Sequence, residues 1–175
     1  MKTLRILLAM AFSFLGFGAS AEPLEIGAEA PAISAVDQDG NTVELGKLYA
    51  KGTVLVFFYP KAHTGGCTDQ VCSLRDGFEA LTEKGVTVVG VSADGQETQK
   101  SFKEKFNLPY TLIADPELKV VKAFGVPLVG AGLVGSMASR QAYLIKGGKI
   151  VWRDLKASTK EQAADVMAAL ETVGD

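Results

Sequence analysis

Two cysteines stand at the start of a predicted helix, in the stretch from Tyr59 to Cys72 that reads YPKAHTGGCTDQVC. An apolar run from Val54 to Phe58 precedes it and a helical pattern follows, so Cys67 lies where a helix begins after a strand and a loop. A helix N-terminus favours the thiolate, which is the reactive form of cysteine. Because Cys67 and Cys72 are the only cysteines in the chain, any redox chemistry must use them.

The Cys-x4-Cys spacing argues against two common uses of paired cysteines. Structural zinc takes four ligands, whereas the two cysteines and the one histidine, His63, supply three. The spacing also differs from the Cys-x-x-Cys motif of thioredoxin-type reductases. We therefore expect no metal and no other cofactor.

The first residues predict a secretory signal peptide. Lys2 and Arg5 precede an apolar run that reaches Phe17, and Ala19-Ser20-Ala21 fits a cleavage site. We expect residues 1–21 to be the signal peptide and residues 22–175 to form one domain. An uncleaved anchor is the less favoured alternative, because the run is shorter than the roughly 20 residues of a membrane span. The predicted location is the periplasm, or otherwise the medium, with no membrane attachment after cleavage.

The charge of the chain excludes one class of partner. It carries 18 basic and 20 acidic side chains, a net charge of −2, and no basic run that would attract nucleic acid. Two cysteines are also too few for a disulfide-stapled scaffold. Since an exported protein works in an oxidising compartment, any activity that consumes thiols there needs a dedicated electron donor.

Strand and helix patterns alternate along the chain. Asp39-Gly40-Asn41 predicts a hairpin turn, and the segments Thr53–Tyr59 and Val86–Val91 predict buried strands. Between these strands apolar residues recur on one face of a single predicted helix that ends at Gly85: Val71, Leu74, Phe78 and Leu81.

The second half of the chain continues this pattern. Asp94 and Glu97 have capping-box spacing before a helix, and Ser158 and Glu161 have it before the last helix. A short strand at residues 110–114, a helix after it and a hairpin turn at residues 146–149 lie between them. The order hairpin, β, α, β, α, β, α, hairpin, α predicts an α/β fold with a mixed central sheet.

These residues together resemble a known family. Pro60-x-x-x-Thr64-x-x-Cys67 is similar to the active-site signature of peroxiredoxins, and a second cysteine at Cys72 resembles the peroxiredoxin Q group, also called bacterioferritin comigratory proteins. The resemblance covers most of residues 22–175. Its other parts are Gly27-x-x-Ala30-Pro31 with Asp39-Gly40, Phe57-Phe58-Tyr59-Pro60-Lys61, and Arg140-x-x-Tyr143-Leu144-Ile145.

The resemblance implies a thioredoxin-like fold of the AhpC/TSA type, with a mixed central sheet flanked by helices and an N-terminal β-hairpin. It implies a thiol peroxidase that reduces hydrogen peroxide and organic hydroperoxides. Cys67 would attack the peroxide and Cys72 would resolve the sulfenic acid as a disulfide. Thr64 and Arg140 would bind the peroxide and thiolate, and Pro60 would shield the pocket from water.

The resemblance also implies partners and a movement. The reductant would be thioredoxin-like or another thiol, and the protein a monomer or weak homodimer. Five residues of α-helix rise about 7.5 Å and carry the side chains about 140° past a full turn. A disulfide needs Cα atoms about 4.4–6.8 Å apart, so we expect the helix start to unwind when Cys67 and Cys72 join.

Some features leave the interpretation open. Gly65 stands where the family commonly has proline, which predicts a more flexible loop. The glycine-rich segment 127–137 fits a flap, a dimer interface or a plain loop. His63 fits a loop residue or a group that tunes the cysteine. Two other functions use the same cysteines: thiol–disulfide exchange without peroxide, and a non-catalytic module with an inert disulfide.

Overall fold

The computed structural model describes residues 22–130 and 135–174. The predicted signal peptide, residues 1–21, and part of the segment 127–137 lie outside these ranges. The strands are β1 (Ser34–Asp37), β2 (Thr42–Glu44), β3 (Thr53–Phe58), β4 (Val86–Ser92), β5 (Thr111–Ala114), β6 (Leu128–Val129), β7 (Met137–Ala138), β8 (Gln141–Lys146) and β9 (Lys149–Asp154). The helices are α1 (Leu45–Tyr49), α2 (Gly65–Asp76), α3 (Phe78–Glu83), α4 (Gln96–Phe106), α5 (Lys119–Ala123) and α6 (Gln162–Thr172).

Seven strands form a mixed sheet in the order β2-β1-β5-β4-β3-β8-β9, and β6 pairs with β7 in a separate ribbon. The central strand β3 runs parallel to β4 and antiparallel to β8. After Thr53 every residue of β3 is buried, as expected for a strand that is covered on both faces. The predicted mixed sheet, the first hairpin and the late hairpin are confirmed.

Helices cover both faces of the sheet. Side chains of α2, α3, α4 and α6 pack in one core with Leu55 and Phe57 of β3. Side chains of α1 and α5 pack in the other with Val54 and Val56. Among the described residues, no helix is both long and apolar enough to cross a membrane.

The helix that was predicted to run unbroken to Gly85 is two helices. α2 ends at Asp76 and α3 begins at Phe78. A Cβ atom on the intervening Gly77 would lie 2.6 Å from Cβ of Ala163 in α6, so only glycine fits where α2 meets α6. The apolar spacing was correct, but it did not reveal this packing contact.

Two predicted capping boxes are wrong. Gly95 caps α4 and Glu161 caps α6, and neither cap makes a side-chain hydrogen bond. Ser158, which precedes α6, instead donates to Asp165 in the first turn of that helix. The carboxylate of Asp94 is used elsewhere, in the loop before α2.

Candidate active site

Cys67 is the third residue of α2 and its side chain is 1% exposed. The first intrahelical bond of α2 runs from the N–H of Thr68 to the carbonyl of Thr64, at 2.8 Å. The N–H groups of Gly65, Gly66 and Cys67 therefore lie ahead of the intrahelical hydrogen bonds, with the positive end of the helix dipole. This arrangement stabilises negative charge on the sulfur or on an oxygen beside it.

The loop that leads into α2 is fixed by Asp94. Its carboxylate accepts the N–H of Ala62 at 2.8 Å and the hydroxyl of Ser92 at 2.7 Å. Because Ser92 ends β4, the neighbour of β3, the sheet itself holds the loop in place. Asp94, which was predicted to cap α4, therefore positions the loop that leads to Cys67.

A buried tyrosine anchors the end of β3 to α4. The hydroxyl of Tyr59 donates to the side chain of Gln99, whose amide donates to Ser92 Oγ at 2.9 Å and to the Ile113 carbonyl at 2.8 Å. Burial raises the pKa of Tyr59 well above its ordinary value, so this phenol stays neutral and serves as a donor.

His63 fixes the outer side of the loop. Its backbone φ is 62°, a left-handed conformation, and its Nε2 lies 2.9 Å from Ser101 Oγ. The imidazole packs edge-on against Phe102, with 5.0 Å between ring centroids. These contacts give His63 a structural role in docking the loop on α4, which agrees with its interpretation as a loop residue.

Arg140 lies immediately before β8 and reaches across to the cysteine. Its Nη2 is 3.4 Å from Cys67 Sγ, and its Nη1 donates to Gln70 Oε1. A Cβ atom at Gly66 would lie 3.4 Å from the same Nη2, in ordinary contact with it, so the guanidinium lies against the first turn of α2. The fold thus brings Arg140 into contact with Cys67, which is 73 positions earlier in the sequence.

Two glutamines of this site were missed by sequence reasoning. Gln70 and Gln162 are both fully buried, and Gln70 Nε2 donates to Gln162 Oε1 at 2.8 Å. The position of Gln70, three residues after Cys67 and so on the same side of the helix, could have indicated it. No local signal indicated Gln162, because it is 92 positions away.

The other predicted residues are Thr64, Pro60 and Cys72. Among the described residues, no hydrogen bond joins their side chains to Cys67 or Arg140. The hydroxyl of Thr64 donates to the Lys61 carbonyl at 2.8 Å and its side chain is exposed. Pro60 is half-buried and lines a cavity of about 220 Å³ with Asp94 and Met137. Cys72 is a free thiol on α2, half-buried against the core. The catalytic roles of all five predicted residues remain predictions.

Potential metal ligands do not cluster in the part of the chain that the structure describes. No three histidine, cysteine, aspartate or glutamate side chains there come close enough to hold a metal ion. The groups that can stabilise charge at Cys67 are the Arg140 guanidinium and the N–H groups of the first turn of α2, which are donors. Such an arrangement binds anions and polarised oxygen atoms.

The sheet, the helices and the buried thiol near the start of α2 define a thioredoxin-like domain. Solved structures have the same fold: peroxidoxin BcpB of Mycobacterium tuberculosis aligns with a TM-score of 0.79 and 29% identity, over 87% of this chain and 99% of that one. Peroxiredoxin Q of Xylella fastidiosa, as a cysteine mutant, aligns with a TM-score of 0.77 and 21% identity, over 85% and 96%.

Sequence comparisons extend this likeness to the family. The AhpC/TSA family matches residues 26–153. Peroxiredoxin Bcp of Bacillus subtilis is 36% identical over 157 residues, 87% of this chain and 98% of that protein. Chloroplastic peroxiredoxin Q of Suaeda salsa is 42% identical over 125 residues, 71% of this chain. The chain therefore belongs to the AhpC/TSA family, in its peroxiredoxin Q/Bcp group. It spans little more than half, 56%, of the chloroplast relative.

Proposed function

We propose that the protein is a thiol peroxidase that reduces hydrogen peroxide and organic hydroperoxides. The observation that carries this proposal is the buried Cys67 sulfur near the start of α2, with the Arg140 guanidinium nitrogen Nη2 3.4 Å away. Peroxide reduction needs a thiolate, donors for the oxygen that leaves, and little water. The similarity to peroxiredoxin Q and Bcp proteins supports the same chemistry.

In the first step the Cys67 thiolate attacks one peroxide oxygen. The S–O bond forms as the O–O bond breaks, and the departing hydroxide or alkoxide takes a proton to leave as water or alcohol. Arg140 Nη2 stabilises the charge that moves from sulfur to oxygen. Thr64 binds the peroxide through its hydroxyl oxygen, which still has a free lone pair while its proton is donated to Lys61. Pro60 shields the pocket from water.

In the second step Cys72 attacks the sulfur of the Cys67 sulfenic acid. A disulfide forms and water leaves. Both cysteines belong to α2, and helical geometry keeps side chains five residues apart on different sides of the helix. The first turns of α2 must therefore unwind before the two sulfurs can bond.

A thioredoxin-like or other dithiol protein completes the cycle by supplying two electrons to the disulfide. We place the protein outside the cytoplasm, in the periplasm or the medium, on the basis of the signal-peptide pattern in residues 1–21. The N-terminal sequence of the protein isolated from its source tests the location, because export with cleavage leaves Glu22 first. We propose that the protein acts as a monomer or a weak homodimer.

The test of the activity is stopped-flow fluorescence of the reduced protein mixed with hydrogen peroxide. Trp152 is the only tryptophan and it packs on the core that holds both cysteines. We expect a fast signal that disappears in Cys67→Ser. In Cys72→Ser the peroxide should still be consumed once, leaving a sulfenic acid that a dimedone reagent traps.

Two outcomes would contradict the proposal. Peroxide consumption no faster than that of free cysteine, in a folded reduced protein, would reject the peroxidase and favour thiol–disulfide exchange. A Cys72→Ser protein that turns over peroxide as many times as the wild type, with the same reductant, would reject Cys72 as the resolving thiol.

A further inference from the structure

A chain of buried polar side chains connects Arg140 to the last helix. Arg140 Nη1 donates to Gln70 Oε1, and Gln70 Nε2 donates to Gln162 Oε1 at 2.8 Å. Gln70 lies in α2 and Gln162 is the first residue of α6. Both side chains are 0% exposed, so water does not compete for these bonds.

Arg140 determines the direction of these hydrogen bonds. A guanidinium has donors and no acceptor, so Gln70 must turn its oxygen towards Arg140 and its NH₂ towards Gln162. Gln162 must in turn present its oxygen. Only one orientation of each amide satisfies both bonds, and Gln162 holds the far end of the Gln70 amide by accepting from its NH₂.

The position of the Gln70 oxygen decides where the other end of the guanidinium lies. Because the fork is planar and rigid, the bond from Nη1 to Gln70 fixes Nη2 at 3.4 Å from Cys67 Sγ. We propose that Gln162 is a positioning residue for peroxide reduction, acting through Gln70 on Arg140. This inference rests on the proposed peroxidase function.

The side-chain amide of Gln162 is bonded at one end. The other end of its amide, Nε2, has no hydrogen-bond partner within residues 22–130 and 135–174. A buried donor without a partner is costly, but an apolar side chain of the same length would instead leave the buried Gln70 Nε2 without its acceptor. The oxygen of Gln162 is the atom that contributes to the site.

The experiment compares Gln162→Met, which keeps the length but removes the acceptor, with Gln162→Glu, which keeps an acceptor. We expect Gln162→Met to lower the second-order rate constant with hydrogen peroxide roughly ten- to a hundredfold, the range for a displaced catalytic group. Gln162→Glu should recover most of that loss. Gln38→Met is the matched control, since Gln38 is 5% exposed, bonds to Leu112 and Asp39, and directly follows β1, which is three strands from β3 in the sheet.

A second readout separates positioning from general loosening of the fold. In the wild type the side-chain NH₂ of Gln70 should give a protected NMR signal, which Gln162→Met abolishes and Gln38→Met leaves unchanged. If Gln162→Met does not fold, Gln162→Asn removes the contact by shortening the side chain. A folded Gln162→Met protein with the wild-type peroxide rate would overturn the inference alone. A wild type that does not react with peroxide would overturn the proposed function and the inference with it.

Discussion

The two ends of the Arg140 guanidinium make different contacts. One nitrogen lies against the Cys67 sulfur and the other donates to Gln70. A lysine has one nitrogen on a flexible chain and cannot make both contacts in a fixed geometry. The peroxide step therefore depends on the shape of the arginine side chain as well as on its charge.

Arg140→Lys tests this dependence at the level of one residue. We expect the rate constant with hydrogen peroxide to fall roughly 10²-fold, as when one preorganised donor is removed from an active site. Stopped-flow fluorescence of the reduced protein measures it. Arg153→Lys makes the same change at a residue that donates to the Pro23 and Leu24 carbonyls, and it should leave the rate unchanged. Equal rates for wild type and Arg140→Lys would show that charge alone is enough.

At the scale of elements, α2 must be stable enough to hold the reduced site and loose enough to unwind. Contacts from other elements hold its middle: Tyr110 donates to the Val71 carbonyl at 2.7 Å, and Gln162 bonds to Gln70. Its first residue is Gly65, where a Cβ atom would meet nothing within 4 Å. The start of the helix is therefore its least restrained part.

Gly65→Pro should make this start more rigid. Gly65 is the first helical residue, a position that proline favours, and Thr64 before it is already extended with ψ 154°. We expect the reduced protein to gain about 0.4–1 kcal/mol in the free energy of unfolding. Disulfide formation after peroxide addition should be slower, because unwinding must now overcome that gain. Urea unfolding and stopped-flow fluorescence measure the two effects.

The control for this change is Gly65→Ala, which removes the flexibility of glycine without adding the proline ring. It should give a smaller change in both measurements. A Gly65→Pro protein that is more stable but forms the disulfide at the wild-type rate would show that unwinding does not limit that step.

Oxidation should also loosen α6. The cap residue of α6, Glu161, makes no side-chain bond, and the N–H of Ala163 donates instead to Ser73 Oγ of α2 at 3.1 Å. We expect unwinding from the start of α2 through Cys72 to break the bond to Gln162 and to loosen the bond at Ser73, the next residue. We expect hydrogen exchange over residues 159–166 to be faster in the disulfide form than in the reduced form. Exchange in α5, on the opposite face of the sheet, should not change.

Ser73→Ala isolates one part of this effect in the reduced protein. It should cost about 1 kcal/mol of stability, as for the loss of a helix cap, and raise the exchange rate at Ala163 alone. Identical exchange over residues 159–166 in both redox states would mean that α6 does not respond to the cysteines.

The strands and hairpins could be predicted because their signals are local. The continuous β-branched and aromatic run in β3 and the glycines after Lys146 each specify an element by themselves. One capping box failed because Asp94 accepts the N–H of Ala62, 32 positions earlier, and the other because Ser158 donates to Asp165. The family resemblance indicated Cys67 and Arg140. The spacing of residues could not predict that Gln162 lies beside Gln70, because that contact depends on how α6 packs on α2.

At the scale of the whole molecule, the extended segment before β1, residues 22–33, is hydrogen-bonded to residues in the second half of the chain. This segment is the lead-in. The N–H of Leu24 donates to the Phe124 carbonyl at 3.2 Å, and that of Gly27 donates to the Ile150 carbonyl at 2.7 Å. Arg153 holds the carbonyls of Pro23 and Leu24. The predicted domain of residues 22–175 thus begins with a segment that contributes to the fold from its first residues.

Gly125 is where this lead-in lies closest to the rest of the chain. Its φ is +65°, and a Cβ atom there would lie 1.8 Å from the Glu22 carbonyl oxygen. Gly85 provides a matched comparison, because its φ is +73° but nothing lies within 4 Å of its Cβ position. Gly85→Ala should cost about 1–2 kcal/mol in urea unfolding, the cost of left-handed backbone alone. Gly125→Ala should cost at least about 1 kcal/mol more, because the lead-in must move and lose a backbone hydrogen bond.

Removing residues 22–24 from the protein that begins at Glu22 completes the comparison. The deletion alone should destabilise the fold, since it removes the bonds to Phe124 and Arg153. In the shortened protein, however, Gly125→Ala should cost no more than Gly85→Ala, because the atom with which its Cβ collides is absent. If the extra cost of Gly125→Ala persists after the deletion, it comes from the Gly125 turn itself and not from the lead-in, and the lead-in then contributes less to the fold than its hydrogen bonds indicate.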